Sequence, residues 1–197
     1  MKKCIQRHVV IASKIKEQML EENIWDNDDE GNMKFESTKK KFNSAIGENV
    51  IFSQDNHPRS VRGVLRGLHY QLDPEPQAKL VRASYGSIFD VAVDIRSESE
   101  TFGKWVGAEL TSSNHHQLWI PEGFAHAFLT LSEVAEVQYK ARGFWNKECE
   151  RAIRWNDPKI NIEWPLERLE GKDVALSEKD GEATLLEIAK TRGDIFK

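Results

Sequence analysis

Apolar and polar positions alternate most clearly over residues 87–95, where Phe89, Val91, Val93 and Ile95 interleave with Asp90, Ala92 and Asp94, and Arg96 follows. A two-residue period is that of a β-strand with two different faces. Asp is disfavoured in strands, so two on one face suggest a polar lining rather than a solvent face. Two further strands precede it, over 64–71 and 78–83. Asp-Pro and Glu-Pro punctuate the first gap, and Tyr-Gly-Ser the second.

The same texture of short strands and turns continues along the chain. It predicts a strand over 50–53, a turn over 54–58, and strands over 105–110, 117–120, 128–131, 134–140, 151–155 and 160–164. Helical spacing shows only near the ends. Residues 12–23 carry Ile15, Met19 and Leu20 at near-helical intervals, after which 26–31 read as an acidic turn. Residues 37–46 read as a helix with Gly47 just past its end. Residues 177–181 read as a turn before a final helix over 183–190, packing through Leu185, Leu186 and Ile188. No repeat, linker or low-complexity segment interrupts residues 1–197, which are expected to form one domain. Many short antiparallel strands imply a jelly roll or barrel, because closure removes exposed edges.

Composition narrows the function classes. At 197 residues, 39% hydrophobic and 30% charged, the chain is an ordinary globular one with a core of its own. A net charge of −4 argues against a protein that coats nucleic acid. No apolar run approaches a membrane span, and residues 1–11 lack the apolar region of a signal peptide. Cys4 and Cys149 form neither a metal motif nor a disulfide framework. The expectation is a cytoplasmic, reduced protein with inert thiols.

Against this acidic balance, one stretch is locally cationic. Arg59, Arg62, Arg66, Lys79 and Arg82 outnumber Asp73 and Glu75 between them. The cluster suits a small anion such as a phosphate ester; equally, it suits a solvated edge that discourages strand aggregation. His69 is a base of the right strength near neutral pH. Pro121-Glu122-Gly123-Phe124-Ala125-His126 resembles half of the second signature of the cupins, which often hold a metal. Here Tyr70 and Gln71 follow His69 in place of a second histidine, and a divalent metal wants three or four ligands. No metal is therefore expected. His115 and His116 sit in a polar turn. His126 is either a hydrogen-bonded interior histidine or a partner for His69 and a substrate. By alternation Tyr139 shares a face with Ala135 and Val137, as a core tyrosine or as an acid opposite a base. Ser177 reads as a helix N-cap, and Asp180 as a carboxylate able to orient a histidine.

Taken in order, Gln54-Asp55-Asn56, Gly63-Val64-Leu65-Arg66-Gly67-Leu68-His69-Tyr70-Gln71, Lys79-Leu80-Val81, the segment from Asp90 to Arg96, Thr101-Phe102-Gly103, the segment from Ile120 to His126, Tyr139-Lys140, Trp155-Asn156-Asp157-Pro158 and Leu176-Ser177-Glu178-Lys179-Asp180 resemble the dTDP-4-dehydrorhamnose 3,5-epimerase family. As a set they are specific to it. The resemblance implies an all-β fold, a cupin-type double-stranded β-helix (jelly roll) with short helices at both ends. It implies a homodimer, catalysis without metal or other cofactor, and dTDP-4-dehydro-6-deoxy-glucose as the small-molecule partner. It carries roles onto matching positions: His69 as base, Asp180 as its carboxylate, Lys79 as the cation facing an enolate oxygen, and Tyr139 as acid. Arg66 and Arg59 match diphosphate contacts, and Gln54, Asn56, His126, Glu36 and Phe144 complete the substrate set. Strict alternation would put Arg66 and His69 on opposite faces of a strand, so a bulge at Gly67, or Arg66 at the barrel mouth, is expected.

The chain departs from the family pattern twice. The usual Arg-Gly-Phe-Phe-x-Glu is Glu30-Gly31-Asn32-Met33-Lys34-Phe35-Glu36, which lacks the arginine, and a usual Tyr-Tyr pair is Phe144-Trp145. Both bear on nucleotide identity and on which carbons are inverted. The rivals are therefore an epimerase acting at C3 alone or on another 4-keto sugar, a cupin that binds a nucleotide sugar without turnover, and a metal-dependent cupin oxygenase.

Overall fold

The computed structural model describes residues 42–44, 46–114 and 116–197. Ten strands run along them: β1 (Gln54–Asn56), β2 (Arg59–Val61), β3 (Leu65–Gln71), β4 (Lys79–Tyr85), β5 (Ser87–Asp94), β6 (Trp105–Thr111), β7 (Gln117–Ile120), β8 (Phe124–Thr130), β9 (Val134–Ala141) and β10 (Glu150–Ala152). After a 3-10 turn at Leu166–Leu169 come two short helices, α1 (Glu178–Gly181) and α2 (Leu186–Arg192). One sheet has the order β1-β9-β4-β7, with β2 also on β9; the other is β10-β3-β8-β5-β6. Every strand pairing is antiparallel. The two sheets form the jelly roll of the cupin kind.

Two apolar layers hold this arrangement together. Val81, Ala83, Ile88, Ala92, Ile120, Phe128, Ala135 and Val137 pack between the sheets. Leu65, Leu68, Val91, Val93, Ile95, Ala125, Ala127 and Leu129 pack outside the second sheet, under Ile153, Ile160, Trp164, Leu169, Leu186 and Ala189 of the C-terminal segment. That cover explains why β8 is buried at every position and β5 at nearly every one. It also assigns the faces of β5. The wholly apolar face is roofed by the C-terminal segment, and the face bearing Asp90 turns inward. The polar lining expected from the two aspartates is thus the barrel interior at Asp90. Asp94 instead takes hydrogen bonds from Arg96, Ser99 and Thr101 and clips the following turn.

Several element boundaries differ from expectation. Residues 50–53 are not a strand: Val50 joins Phe42, Ala78 and Trp119 in a cluster with Phe52 packed against it, and the polar Gln54–Asn56, expected as a turn, pairs with β9 instead. The expected strand at 128–131 starts earlier, directly after Gly123, whose φ of 86° turns the chain into β8. The strand at 151–155 is cut to β10: Ile153 still exchanges backbone hydrogen bonds with Leu68 of β3 across the irregularity, and it bridges Thr184, whose carbonyl accepts from the Arg154 N–H. Residues 160–164 are irregular: the Asp157 carboxylate accepts from the backbone of Lys159, Ile160 and Leu186, tying that loop to α2. The turn expected at 177–181 is α1, capped by Ser177. The final helix packs through Leu186 and Ala189, while Ile188 is 43% exposed. At the N-terminal side, residues 42–44 and 46 are helical, and Gly47 follows at φ 78°. The elements expected at 12–23, 26–31 and 37–41, with Cys4, Phe35, Glu36 and His115, lie outside the described residues.

Candidate active site

A cavity of about 660 Å³ opens between the two sheets, walled by Arg66, His69, Lys79, His126, Phe128, Tyr139, Lys179 and Asp180 among others. Each side chain arrives there for a local reason. In β3 the register with β8 shifts between Arg66, which pairs with Phe128, and His69, which pairs with His126. Gly67 lies in the shift at φ 120°, a region that L side chains rarely adopt. The extra residue lets Leu65 and Leu68 both point outward into the C-terminal layer while Arg66 and His69 both reach the cavity. The expected bulge at Gly67 therefore exists. Tyr139 follows the alternation of β9 and packs inward beside Ala135 and Val137.

His69 Nε2 lies 2.5 Å from Asp180 Oδ1. Asp180 is almost wholly buried, and its backbone N–H donates to the Ser177 hydroxyl, so the segment is both a capped helix start and an orienting carboxylate. Burial alone would raise the Asp180 carboxyl; the hydrogen bond and charge of His69, with the Ser177 bond and Lys179, hold it below the usual range. Loss of water around Lys79 lowers its ammonium to about 8, against the opposing pull of Asp90 and Glu150. Its Nζ lies 6.0 Å from the centroid of the Tyr139 ring. Burial raises the Tyr139 phenol, which the charge of Arg66 only partly offsets, and so the phenol stays protonated at neutral pH. Behind them His126 Nε2 meets Asp90 Oδ1 at 2.7 Å, and burial disfavours charge on both partners.

The expected site residues divide. His69, Tyr139, Lys79, Asp180, Arg66, Asn56 and His126 share the cavity wall. His126 is also a hydrogen-bonded interior histidine, so both readings of it describe the same placement. Gln54, Arg59 and Phe144 lie off that wall. Gln54 bridges Asn56 and the backbone of Trp145. Arg59 is exposed on β2 opposite Glu136, and Phe144 is 64% exposed. Glu36 lies outside the described residues. Lys179 also lines the wall beside Asp180, a position that no local sequence pattern marks as part of the site. Among the described residues no group of three or more His, Cys, Asp or Glu has metal-binding geometry, and no helix is long and apolar enough to cross a membrane.

A histidine held by a carboxylate, with a phenol and an ammonium on the facing sheet, is a set of groups able to move protons on and off a carbon beside a carbonyl. Comparison with known proteins points to the same chemistry. A family model described as dTDP-4-dehydrorhamnose 3,5-epimerase matches residues 12–187. The curated dTDP-4-dehydrorhamnose 3,5-epimerase of Shigella flexneri is 57% identical over 138 residues, 69% of this chain and 76% of its own. A solved dTDP-6-deoxy-D-glucose-3,5-epimerase of Legionella pneumophila Philadelphia 1, in complex with dTDP-4-keto-L-rhamnose, is similar at a TM-score of 0.73 and 46% identity, over 78% of this chain and 79% of its own. A 3'-monoepimerase of Streptomyces bikiniensis, in complex with dTDP-quinovose, is similar at a TM-score of 0.74 and 30% identity, over 81% and 78%. With the family model covering most of its length, the chain belongs to the dTDP-4-dehydrorhamnose 3,5-epimerase family.

Proposed function

We propose that the chain inverts C3 and C5 of dTDP-4-dehydro-6-deoxy-glucose, as an isomerase in the synthesis of dTDP-rhamnose. The 4-keto group acidifies the hydrogens on both neighbouring carbons. His69 removes one from one face of the ring, with Asp180 orienting the imidazole and stabilising its protonated form. The electron pair moves onto the keto oxygen, and Lys79 faces the enolate that results; a preorganised donor of this kind contributes roughly 3–4 kcal/mol to the transition state. Tyr139 returns a proton from the other face. Arg66 holds the diphosphate by charge-assisted hydrogen bonds. No step in this sequence calls on a cofactor. The reading extends to one domain over 1–197 and to a cytoplasmic homodimer, which a buried free thiol at Cys149 suits.

The observation that carries the proposal is the single cavity shared by the His69–Asp180 pair, Lys79 and Tyr139. Incubation with dTDP-4-dehydro-6-deoxy-glucose in heavy water tests it. Deuterium is expected at both C3 and C5, and a product without solvent label would refute the proton relay. Label at C3 alone would favour the second reading, a C3 epimerase. Phe144-Trp145 in place of the family's Tyr-Tyr pair is the feature that keeps this second reading in play.

A further inference from the structure

A proton relay that spans the cavity depends on spacings within a sheet and between sheets. Within the first sheet the ladder fixes Lys79 and Tyr139 relative to each other: β4 pairs with β9, with Lys79 opposite Ala141 and Val81 opposite Tyr139. His69 stands on β3 of the second sheet. Among the described residues no ladder joins β3 to β4 or β9, so its spacing from the other two falls to side chains and loops. Gln71 lies two residues past His69, on the same face by alternation, and is 3% exposed. Its carboxamide nitrogen donates to the Glu75 carbonyl at 2.6 Å and to the Phe144 carbonyl at 3.1 Å. Its oxygen accepts from the Asn146 N–H at 2.8 Å. These partners settle which atom is which, since two carbonyls need the nitrogen and an amide N–H needs the oxygen.

The two loops held in this way are those that flank the facing groups. Glu75 belongs to the loop over 72–78, which ends where Lys79 opens β4. Phe144 and Asn146 belong to the loop over 142–149, which leaves β9 just past Tyr139. The Arg142 N–H and the Ala78 carbonyl link these loops directly at 2.9 Å, but that bond leaves β3 out. The Gln71 carboxamide brings β3 in. Gln71 is not itself on the cavity wall. We propose that Gln71 is a positioning residue for the epimerisation: it sets the spacing across the cavity between His69 on one sheet and Lys79 and Tyr139 on the other. Without its three bonds the loop groups turn to water, and the two sheets lose a common anchor beside the reacting groups. Proton transfer depends steeply on such spacing; a misplacement of about 1 Å can cost ~10²-fold in rate. The inference rests on the proton-relay reading of the cavity.

Two variants test it, read by turnover of dTDP-4-dehydro-6-deoxy-glucose in heavy water and by melting temperature. Gln71→Met keeps the length of the side chain and removes all three bonds. It is expected to lower kcat about 10–10²-fold with KM within about threefold. The ratio of deuterium exchanged into substrate to epimer formed is expected to rise about fivefold or more. His69 and Asp180 keep their own hydrogen bond in this variant, while the phenol loses its fixed distance from them. Loss of folded protein alone lowers exchange and epimerisation by the same factor and leaves that ratio where it was. Gln71→Asn retains a carboxamide one methylene short and is expected to fall between the wild type and Gln71→Met in both kcat and ratio. It covers the case of a methionine variant that folds poorly. An unchanged ratio in the folded variants, or kcat within about twofold of the wild type in both, would reduce Gln71 to a structural residue and overturn the inference alone. A wild-type protein that takes up no solvent label would refute the proton relay itself, and the inference with it.

Discussion

In the proposed relay Lys79 meets two demands that pull in opposite directions. Facing the enolate of that relay it must be charged; stripped of water it resists charge, and its ammonium falls to about 8 from an ordinary value of 10.5. In the free enzyme the useful form is lost as pH rises past that value, so kcat/KM is expected to fall with an alkaline limb near pH 8. Stability runs the other way. Below the folded value both folded and unfolded chains hold the proton, and the cost of burying the charge is fully present. Between about 8 and 10.5 the unfolded chain binds more protons, so this group's contribution to stability rises with pH. Lys79→Met removes charge and cost together. It is expected to cut kcat by about 10²–10³ while raising stability by an amount on the order of 2–3 kcal/mol. A pH–rate profile and a urea titration check the two halves. Tyr139 allows a sharper separation. Burial keeps its phenol protonated, so its part comes after the base has acted. Tyr139→Phe is expected to lower epimer formation by about 10²–10⁴ while His69 still exchanges substrate hydrogen for solvent deuterium. Loss of exchange in parallel with epimerisation would assign Tyr139 to the first step instead.

The bulge in β3 is what makes one strand serve two layers. Regular alternation would send either Arg66 or His69 into the C-terminal layer; the shift at Gly67 sends Leu65 and Leu68 there instead. A Cβ on Gly67 would lie 2.4 Å from the His126 backbone oxygen and 2.6 Å from the Ala127 Cβ, at a φ hostile to L residues. Gly67→Ala is therefore expected to cost about 2–4 kcal/mol in chemical unfolding. The surviving folded fraction should also lose activity, since His69 and His126 are register partners. The strand pattern, the conflict at Arg66 and His69, and the inward face of Tyr139 were all legible in the sequence, because each follows from a two-residue period. The capped start of α1 was legible from Ser177. What escaped was set by tertiary contacts. Residues 160–164 look like a strand until Asp157 gathers their amides, and Gln54–Asn56 looks like a turn until β9 offers it an edge. Lys179 pairs with Glu150 across 29 residues, a contact that no local pattern marks.

In the molecule taken together, the barrel's apolar insulation comes from outside its second sheet. The C-terminal segment roofs the Leu65, Val91 and Val93 face, which frees the inward face of β5 and β8 to carry Asp90 and His126. That division places the four groups of the proposed relay on strands and a helix of one chain, with His69 on β3, Lys79 on β4, Tyr139 on β9 and Asp180 on α1. If the protein is the proposed homodimer, each subunit then holds a full proton relay of its own, and the partner is not needed to supply either half. Mixed dimers decide this. His69→Ala and Tyr139→Phe subunits, unfolded together and reassembled, are expected to show no more epimerisation than the average of the two parent dimers. If instead base and acid met across the subunit boundary, half of the dimers would be mixed and each would regain one intact site, restoring about a quarter of wild-type activity. Native mass spectrometry of the mixture confirms that the hybrids have formed, so that silence in the assay reports on where the two groups reside rather than on a failure to exchange.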